Sequence, residues 1–250
     1  MDLQINGHAI IVTGASRGLG AAMARALVAE GAVVLAAARS VDALKSLAAE
    51  TPGQVLPIAC DMRDRDAVAD LVGTCLSEFG RVDAVVNNAG IAPAGKLVET
   101  DLAVMEETMA VNLLAPAALA REAAIHWITA GQPGSVVNVA SISGLKGKAL
   151  LAGYSASKGA MMRLTEALSN EWARYNIRVN TIAPGGFATE AQAAVLADPV
   201  MLEARVRKIP ARRLAAPEEI GPLTGYLVSP LSGFVTGSCF VIDGGEVARL

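Results

Sequence analysis

Short apolar runs rich in β-branched residues alternate along the chain with longer segments dominated by Ala and Leu. Parallel sheets with crossover helices carry this alternation, because their strands are buried on both faces while each helix buries one. It predicts an α/β fold with a mostly parallel seven-stranded sheet, its strands near 8–13, 32–38, 54–59, 82–86, 134–140, 177–182 and 238–242. Helical patterns lie near 18–30, 41–50, 64–79, 101–130, 153–175 and 217–228. No linker, repeat or shift of composition divides residues 1–250, so a single domain is expected. The least regular stretch runs from Gly185 to about Pro210, and residues 186–210 are expected to form a mobile lid.

The polar motifs fall at corresponding places in this pattern. TGASRGLG follows the first predicted strand, NNAG the fourth, Ser141 the fifth and APGGFAT the sixth. All would emerge at the carboxyl ends of parallel strands, the edge at which open α/β sheets form their ligand crevice. Residues far apart in the chain are therefore expected to converge there.

Composition and charge narrow the class. Apolar residues make up 53% of the chain and mean hydropathy is +0.43, yet no uninterrupted apolar run approaches the roughly 18 residues of a membrane-crossing helix. The start, MDLQINGHAIIVTG, has no basic region followed by a long apolar segment, so a cytoplasmic location is expected. A net charge of −3 and a pI near 5.5 give no general attraction to nucleic acid or to an anionic membrane. Cys60, Cys75 and Cys239 lie far apart without metal-ligand spacing and read as reduced thiols. His8 and His126 are the only histidines and sit in no motif, so no metal is expected.

Gly14, Gly18 and Gly20 form TGxxxGxG between the first strand and first helix. Glycines there permit a tight turn and close backbone approach, and the helix N-terminus offers unpaired N–H groups to a pyrophosphate; a turn that merely joins strand to helix is the plainer reading. The end of the second strand reads VVLAAARS, with Ala38 where an acidic residue would select NAD and Arg39 after it. With Arg17 in the glycine turn, two guanidinium groups and no carboxylate favour NADP(H) over NAD(H), unless both arginines are simply solvated. Asp61 could accept from an adenine amino group or cap the helix after it. Asn87 could brace the central strand, while Ala89 and Gly90 let the backbone face a cofactor.

Tyr154 and Lys158, in the run YSASK, are four residues apart, so on a helix the phenol and the ammonium share one face. An ordinary tyrosine, with a pKa of about 10, is too weak an acid for work near neutrality. Asn112 and Ser141 join the pair as candidates, with ordinary alternatives: Asn112 bracing a kink near Pro116, Ser141 capping a turn, Tyr154 and Lys158 pairing at the surface.

TGASRGLG, NNAG, Asn112, Ser141, YSASK and PGGFAT, in this order, resemble the classical short-chain dehydrogenases/reductases, and the resemblance continues through RLAAPEEI and VIDGG near the end. It implies a single-domain, Rossmann-like three-layer αβα sandwich, a nicotinamide cofactor and hydride exchange with a carbonyl or alcohol. It implies cofactor contacts at Gly14, Ser16, Arg17, Gly18, Leu19, Gly20, Arg39, Asp61, Met62, Asn88, Ala89, Gly90, Tyr154, Lys158, Pro184, Gly185, Phe187 and Thr189. Tyr154 would exchange the proton, Ser141 polarise the substrate oxygen, and Asn112 hold a water linking Lys158 to solvent. Lys158 would bind a ribose hydroxyl and, from about 6 Å, lower the phenol by about two pKa units. Phe187 stands where the family usually has an aliphatic residue and is expected to narrow the substrate pocket. Assembly as a homotetramer, or a dimer, through 101–130 and 153–175 is implied.

Ile142, Leu145, Leu150, Leu151 and, from 186–204, Val195, Leu196, Val200, Met201 and Leu202 suggest an apolar pocket suited to a hydrophobic ketone or 3-oxoacyl thioester; alternatively they pack lid to body. Arg205, Arg207, Lys208, Arg212 and Arg213 could receive an acidic acyl carrier protein, or form a solvated face. Two further readings stand: an NAD(P)-dependent alcohol dehydrogenase working mainly in oxidation, and a non-catalytic dinucleotide-binding regulator.

Overall fold

The computed structural model describes residues 2–249. The first half of the chain alternates β1 (Ala9–Thr13), α1 (Gly18–Ala29), β2 (Val33–Ala38), α2 (Val41–Glu50), β3 (Val55–Ala59), α3 (Arg65–Phe79) and β4 (Ala84–Asn87). There follow α4 (Leu102–Met109), α5 (Ala115–Ala130), β5 (Gly134–Val139), α6 (Ile142–Leu145), α7 (Ala152–Trp172) and β6 (Ile177–Pro184). The last part holds α8 (Ala193–Ala197), α9 (Pro199–Val206), α10 (Gly221–Val228) and β7 (Cys239–Ile242). The strands form one sheet in the order β3-β2-β1-β4-β5-β6-β7, every pair parallel. Strand order reverses between β1 and β4, which is where such sheets open a crevice.

Alternation along each strand feeds two cores. Ile10, Val12, Val34, Ala36, Val86 and Val137 face α1, α2 and α10, whereas Ile11, Leu35, Val85 and Val136 face α3 and α5. Because both faces are covered, the strands read as nearly continuous apolar runs rather than as polar–apolar alternation. On the α3–α5 face the exception is a polar row in register: Asn87 opposes Asn138, and Asn138 opposes Thr181. Asn87 Nδ2 donates to Asn138 Oδ1 (2.9 Å), Asn138 Nδ2 to Thr165 Oγ1 of α7 (2.9 Å), and Thr181 Oγ1 to Thr165 Oγ1 (2.8 Å). Asn87 thus braces the centre of the sheet, and the row ties α7 to three strands.

The expected helix over 101–130 is not uniform. A π turn, Ala110–Leu114, separates α4 from α5, with Asn112 at its centre and Pro116 in the first turn that follows. Wide turns of this kind free a backbone carbonyl and recur at functional sites. The continuous helical stretch Leu102–Ala130 is, among the described residues, long and apolar enough to cross a bilayer by length and composition. Its stripe from Val111 through Leu119 to Trp127 packs into the core instead, with Trp127 Nε1 donating to Val82 O (2.7 Å). Residues 186–210 are more regular than expected, since α8 and α9 lie within them.

Candidate active site

The carboxyl ends of β1 and β4 are laced together. Thr13 Oγ1 accepts from the backbone N–H groups of Asn88 and Ala89 (both 3.1 Å), and Asn88 Nδ2 donates to Thr13 O (3.0 Å) and Gly14 O (3.2 Å). Gly20 makes the turn feasible, because a Cβ there would stand 2.2 Å from Gly14 O and 2.5 Å from Asn88 Nδ2. Neither the carbonyl nor the laced amide can retreat cheaply. Gly20→Ala is expected to cost about 2–4 kcal/mol of stability, read as a lower urea midpoint; an unchanged midpoint would show that the turn relaxes freely.

A cavity of about 890 Å³ opens beside this seam. Gly14, Ser16, Arg17, Gly18, Leu19 and Gly20 line it from the glycine turn; Arg39, Asp61 and Met62 from the ends of β2 and β3; Asn88, Ala89 and Gly90 from β4; and Thr189 from the segment after β6. Arg17, the residue before α1, is extended and makes no side-chain cap, so the first N–H groups of α1 have no side-chain acceptor there. An uncapped helix start behind a glycine turn suits a pyrophosphate, and the residues present therefore fit a dinucleotide. Arg17 and Arg39 are exposed, and neither is ion-paired among the described residues.

Pro184, Gly185 and Phe187 do not line this cavity. Pro184 is buried at the end of β6, and Gly185 faces β7: its N–H donates to Ile242 O (2.9 Å), and a Cβ would meet Asp243. Phe187 is 3% exposed and packs in the core with Ala15 and Val139, so it does not narrow a substrate pocket. Asp61 does not cap α3. Asp64 does so, accepting from Asp66 N and Ala67 N, while the Arg63 guanidinium grips Asp61 and, with a smaller pull from Arg39, lowers its carboxyl to about 2. The sequence reading missed Ser40, Arg63, Glu107 and Glu190, which also line the cavity. Ser40 adjoins Arg39 and Glu190 adjoins Thr189, so proximity to a motif was the available signal.

Ser141, Tyr154, Lys158 and Asn112 come together at the edge of the cavity. Ser141 begins α6, its Oγ accepting from Ser143 N (3.1 Å), so the capping role is real. Close approach of α6 to α7 requires Gly144, where a Cβ would stand 2.6 Å from the Lys158 carbonyl carbon. Lys158 Nζ lies 5.9 Å from the centre of the Tyr154 ring and donates to Val139 O (2.7 Å). A Cβ on Gly90, which lines the cavity, would stand 3.2 Å from Asn112 Oδ1 and 3.4 Å from Lys158 Nζ.

The surroundings of Tyr154, Lys158 and Asn112 add to the roles expected of them. Burial raises the Tyr154 phenol above its ordinary pKa, and the Ser141 hydroxyl pulls it back in part. Lys158 is itself 4% exposed, with no carboxylate partner among the described residues, and burial lowers it to about 8. Asn112 is a clip: Oδ1 accepts from Ile91 N (2.8 Å), while Nδ2 donates to Ile91 O (2.9 Å) and Ser157 Oγ (3.0 Å). Both amide hydrogens are thereby committed to protein partners. Ser157, inside YSASK and missed as a candidate, continues the clip by donating to Tyr154 O (2.8 Å).

Most of the basic cluster is neutralised internally, by Arg205–Glu246, Arg207–Glu203 and Arg213–Glu219 pairs. Cys60 and Cys75 are buried free thiols, pushed by burial to about 11 and about 12; Cys239 is a free thiol on exposed β7.

Comparison with known proteins agrees with this geometry. Residues 14–246 match a family described as enoyl-(acyl carrier protein) reductase. Gluconate 5-dehydrogenase of Gluconobacter oxydans is 32% identical over 249 residues, covering 98% of this chain and 97% of that protein. Cis-4-hydroxycyclohexanecarboxylate dehydrogenase of Sinomonas cyclohexanicum is 36% identical over 241 residues, covering 95% and 96%. A solved structure from Agrobacterium tumefaciens, assigned to a 2-deoxy-d-gluconate 3-dehydrogenase and holding bound NADP, superposes with a TM-score of 0.92 at 34% identity over 99% of both chains. With its parallel sheet, glycine turn and Ser–Tyr–Lys cluster, the chain belongs to the short-chain dehydrogenase/reductase family, oxidoreductases acting on CH–OH groups.

Proposed function

We propose that this protein is an NADP(H)-dependent oxidoreductase that interconverts a ketone and a secondary alcohol on an apolar substrate. The observation that carries the reading is the meeting of Ser141, at the start of α6, with Tyr154 and Lys158 of α7 at the cavity edge marked by Gly90. Bound nicotinamide supplies or takes up the hydride. Ser141 orients the substrate oxygen through its hydroxyl. Tyr154 gives that oxygen a proton in reduction and removes one in oxidation. Lys158 holds the proton-exchanging side of the cluster and offers its remaining N–H groups to a ribose hydroxyl. Asn112 keeps the β4 exit fastened to α7, so the cofactor wall and the proton donor keep their spacing.

Leu145, Leu150, Leu196, Val200 and Met201 remain exposed around α6, α7, α8 and α9, which supports an apolar ketone over a polyhydroxylated one. The cyclohexane ring named for the Sinomonas relative points the same way, and the gluconate named for the Gluconobacter relative points the other. NADPH oxidation against cyclic and aromatic ketones, β-ketoacyl thioesters and keto sugar acids, with the reverse assays, decides. Rapid use of keto sugar acids alone would overturn the apolar reading, thioesters alone would select an acyl-carrier branch, and cofactor binding without any turnover would leave a regulator.

The preference for NADP(H) rests on Arg17 and Arg39 at the cavity and on Ala38 in place of an acid. Arg39→Asp is expected to lower kcat/KM for NADPH about 10- to 100-fold, the equivalent of losing charge-assisted bonds to a 2′-phosphate, and to raise it for NADH. An unchanged ratio would remove Arg39 from the reading. Leu102, Leu114, Ile125 and Ile128 leave an exposed apolar face on α4 and α5, which supports self-association into a dimer or tetramer.

A further inference from the structure

We propose that the C-terminal tail, residues 243–249, is a strap across the mouth of the site, and that Arg205 and Glu246 are positioning residues that hold α9 in place against the Ser141 side. The inference rests on the reading of Ser141 and Tyr154 as the proton-handling edge of the cleft. Arg205 of α9 meets Glu246 with two parallel bonds, Nη1 to Oε1 and Nη2 to Oε2, each 2.8 Å. Among the described residues this is the only ion pair in which both side chains are at most one-fifth exposed, at 15% and 20%. Exposed pairs contribute little to stability, whereas a bidentate, shielded pair fixes geometry, and removing its carboxylate strands a guanidinium.

The tail is shaped for this contact. Asp243 accepts from Gly245 N (2.8 Å) and Val247 N (2.6 Å), and Gly244 O accepts from Ala211 N (3.0 Å). Gly186, just after β6, leaves the room Arg205 needs, since a Cβ there would stand 2.8 Å from Arg205 Nη2. Lys146, which follows α6, donates through Nζ to Val247 O. The two anchors, Glu246 and Val247, are therefore adjacent in the tail, one bound to α9 and the other to the residue that ends α6, the helix Ser141 begins. With both in place, α9 and α6 cannot separate without breaking the strap.

Glu246→Gln keeps the shape and removes the charge. It is expected to speed tryptic cleavage after Arg207 and Lys208 about five- to tenfold, and to raise KM for the carbonyl substrate by a similar factor with kcat within about twofold. The reversed pair, Arg205→Glu with Glu246→Arg, is expected to restore both readouts. Lys146→Met releases the other anchor and should act in the same direction, so it carries the test if Glu246→Gln does not fold. Unchanged cleavage in the single variants, or a reversed pair no better than Glu246→Gln, would overturn the strap. Protease sensitivity is read on the protein without substrate, so absence of turnover in the parent would sink the catalytic reading and leave the strap separately tested.

Discussion

Tyr154→Phe is expected to lower kcat/KM by about 10²- to 10⁴-fold, the range associated with loss of a positioned acid or base, while leaving NADPH affinity within about twofold. The ring remains in its half-buried place on α7, and only the hydroxyl, which meets Ser141, is lost. Binding is measured by nucleotide fluorescence and turnover under conditions where chemistry limits the rate. Near-normal turnover would remove Tyr154 from the proton step. The raised phenol pKa also sets a direction: at neutral pH the group carries its proton and is ready to donate. Reduction is therefore expected to hold level through neutrality, and oxidation, which needs the phenolate, to climb toward alkaline pH.

Lys158→Met should produce opposite effects on activity and stability. Without the ammonium, turnover falls with Tyr154 still present. In the protein without cofactor, however, the buried ammonium is destabilising, because burial lowers its pKa from 10.5 to about 8. That shift corresponds to about 3 kcal/mol at pH 7, against which loss of the bond to Val139 O sets about 1 kcal/mol. A net gain of about 2 kcal/mol should raise Tm by about 5 °C. The pH dependence has a definite sign. Below pH 8 folded and unfolded chains both hold the proton and the burial penalty is complete. From about 8 upward the unfolded chain binds more protons than the folded one, so this group makes stability rise with pH. Cys60 and Cys75, raised to about 11 and about 12, act oppositely once unfolded thiols begin to ionise near 9. The rise should therefore show between about pH 8 and 9 in the parent and be absent in Lys158→Met. A Tm at pH 7 equal to or below that of the parent would refute the burial argument.

The sheet was legible because its strands are buried on both faces and read as apolar runs, and the crevice because each polar motif follows such a run. The break in the helix over 101–130 falls where Pro116 marks it, since proline has no N–H for the Asn112 carbonyl four residues earlier; the widening to a π turn, with the Asn112 side chain bonded to Ile91 and Ser157, has no local signature. Phe187 looked like a pocket residue from its place after PGG, but the parallel bridge to Ala215 draws it inward. The expected pull of Lys158 on the Tyr154 phenol follows from their spacing and a Coulomb attraction over about 6 Å, and the desolvation that opposes it is not written in the sequence. Spacing gives proximity, whereas the sign of a pKa shift depends on burial, which only the packed helix supplies. The pairing of Arg205 with Glu246 joins residues 41 positions apart and has no local signature.

The seam between β1 and β4 also bears on how the protein is made. Thr13 and Asn88 are 75 residues apart, and both neighbours of this seam in the sheet are parallel crossovers. Closing such a pairing orders a long loop before any contact rewards it, so the seam is placed to form late and to limit the folding rate. A dinucleotide lying across both strand exits would bind only after that closure and would draw the newly made chain toward its native state, acting as a folding ligand before it acts as a reactant.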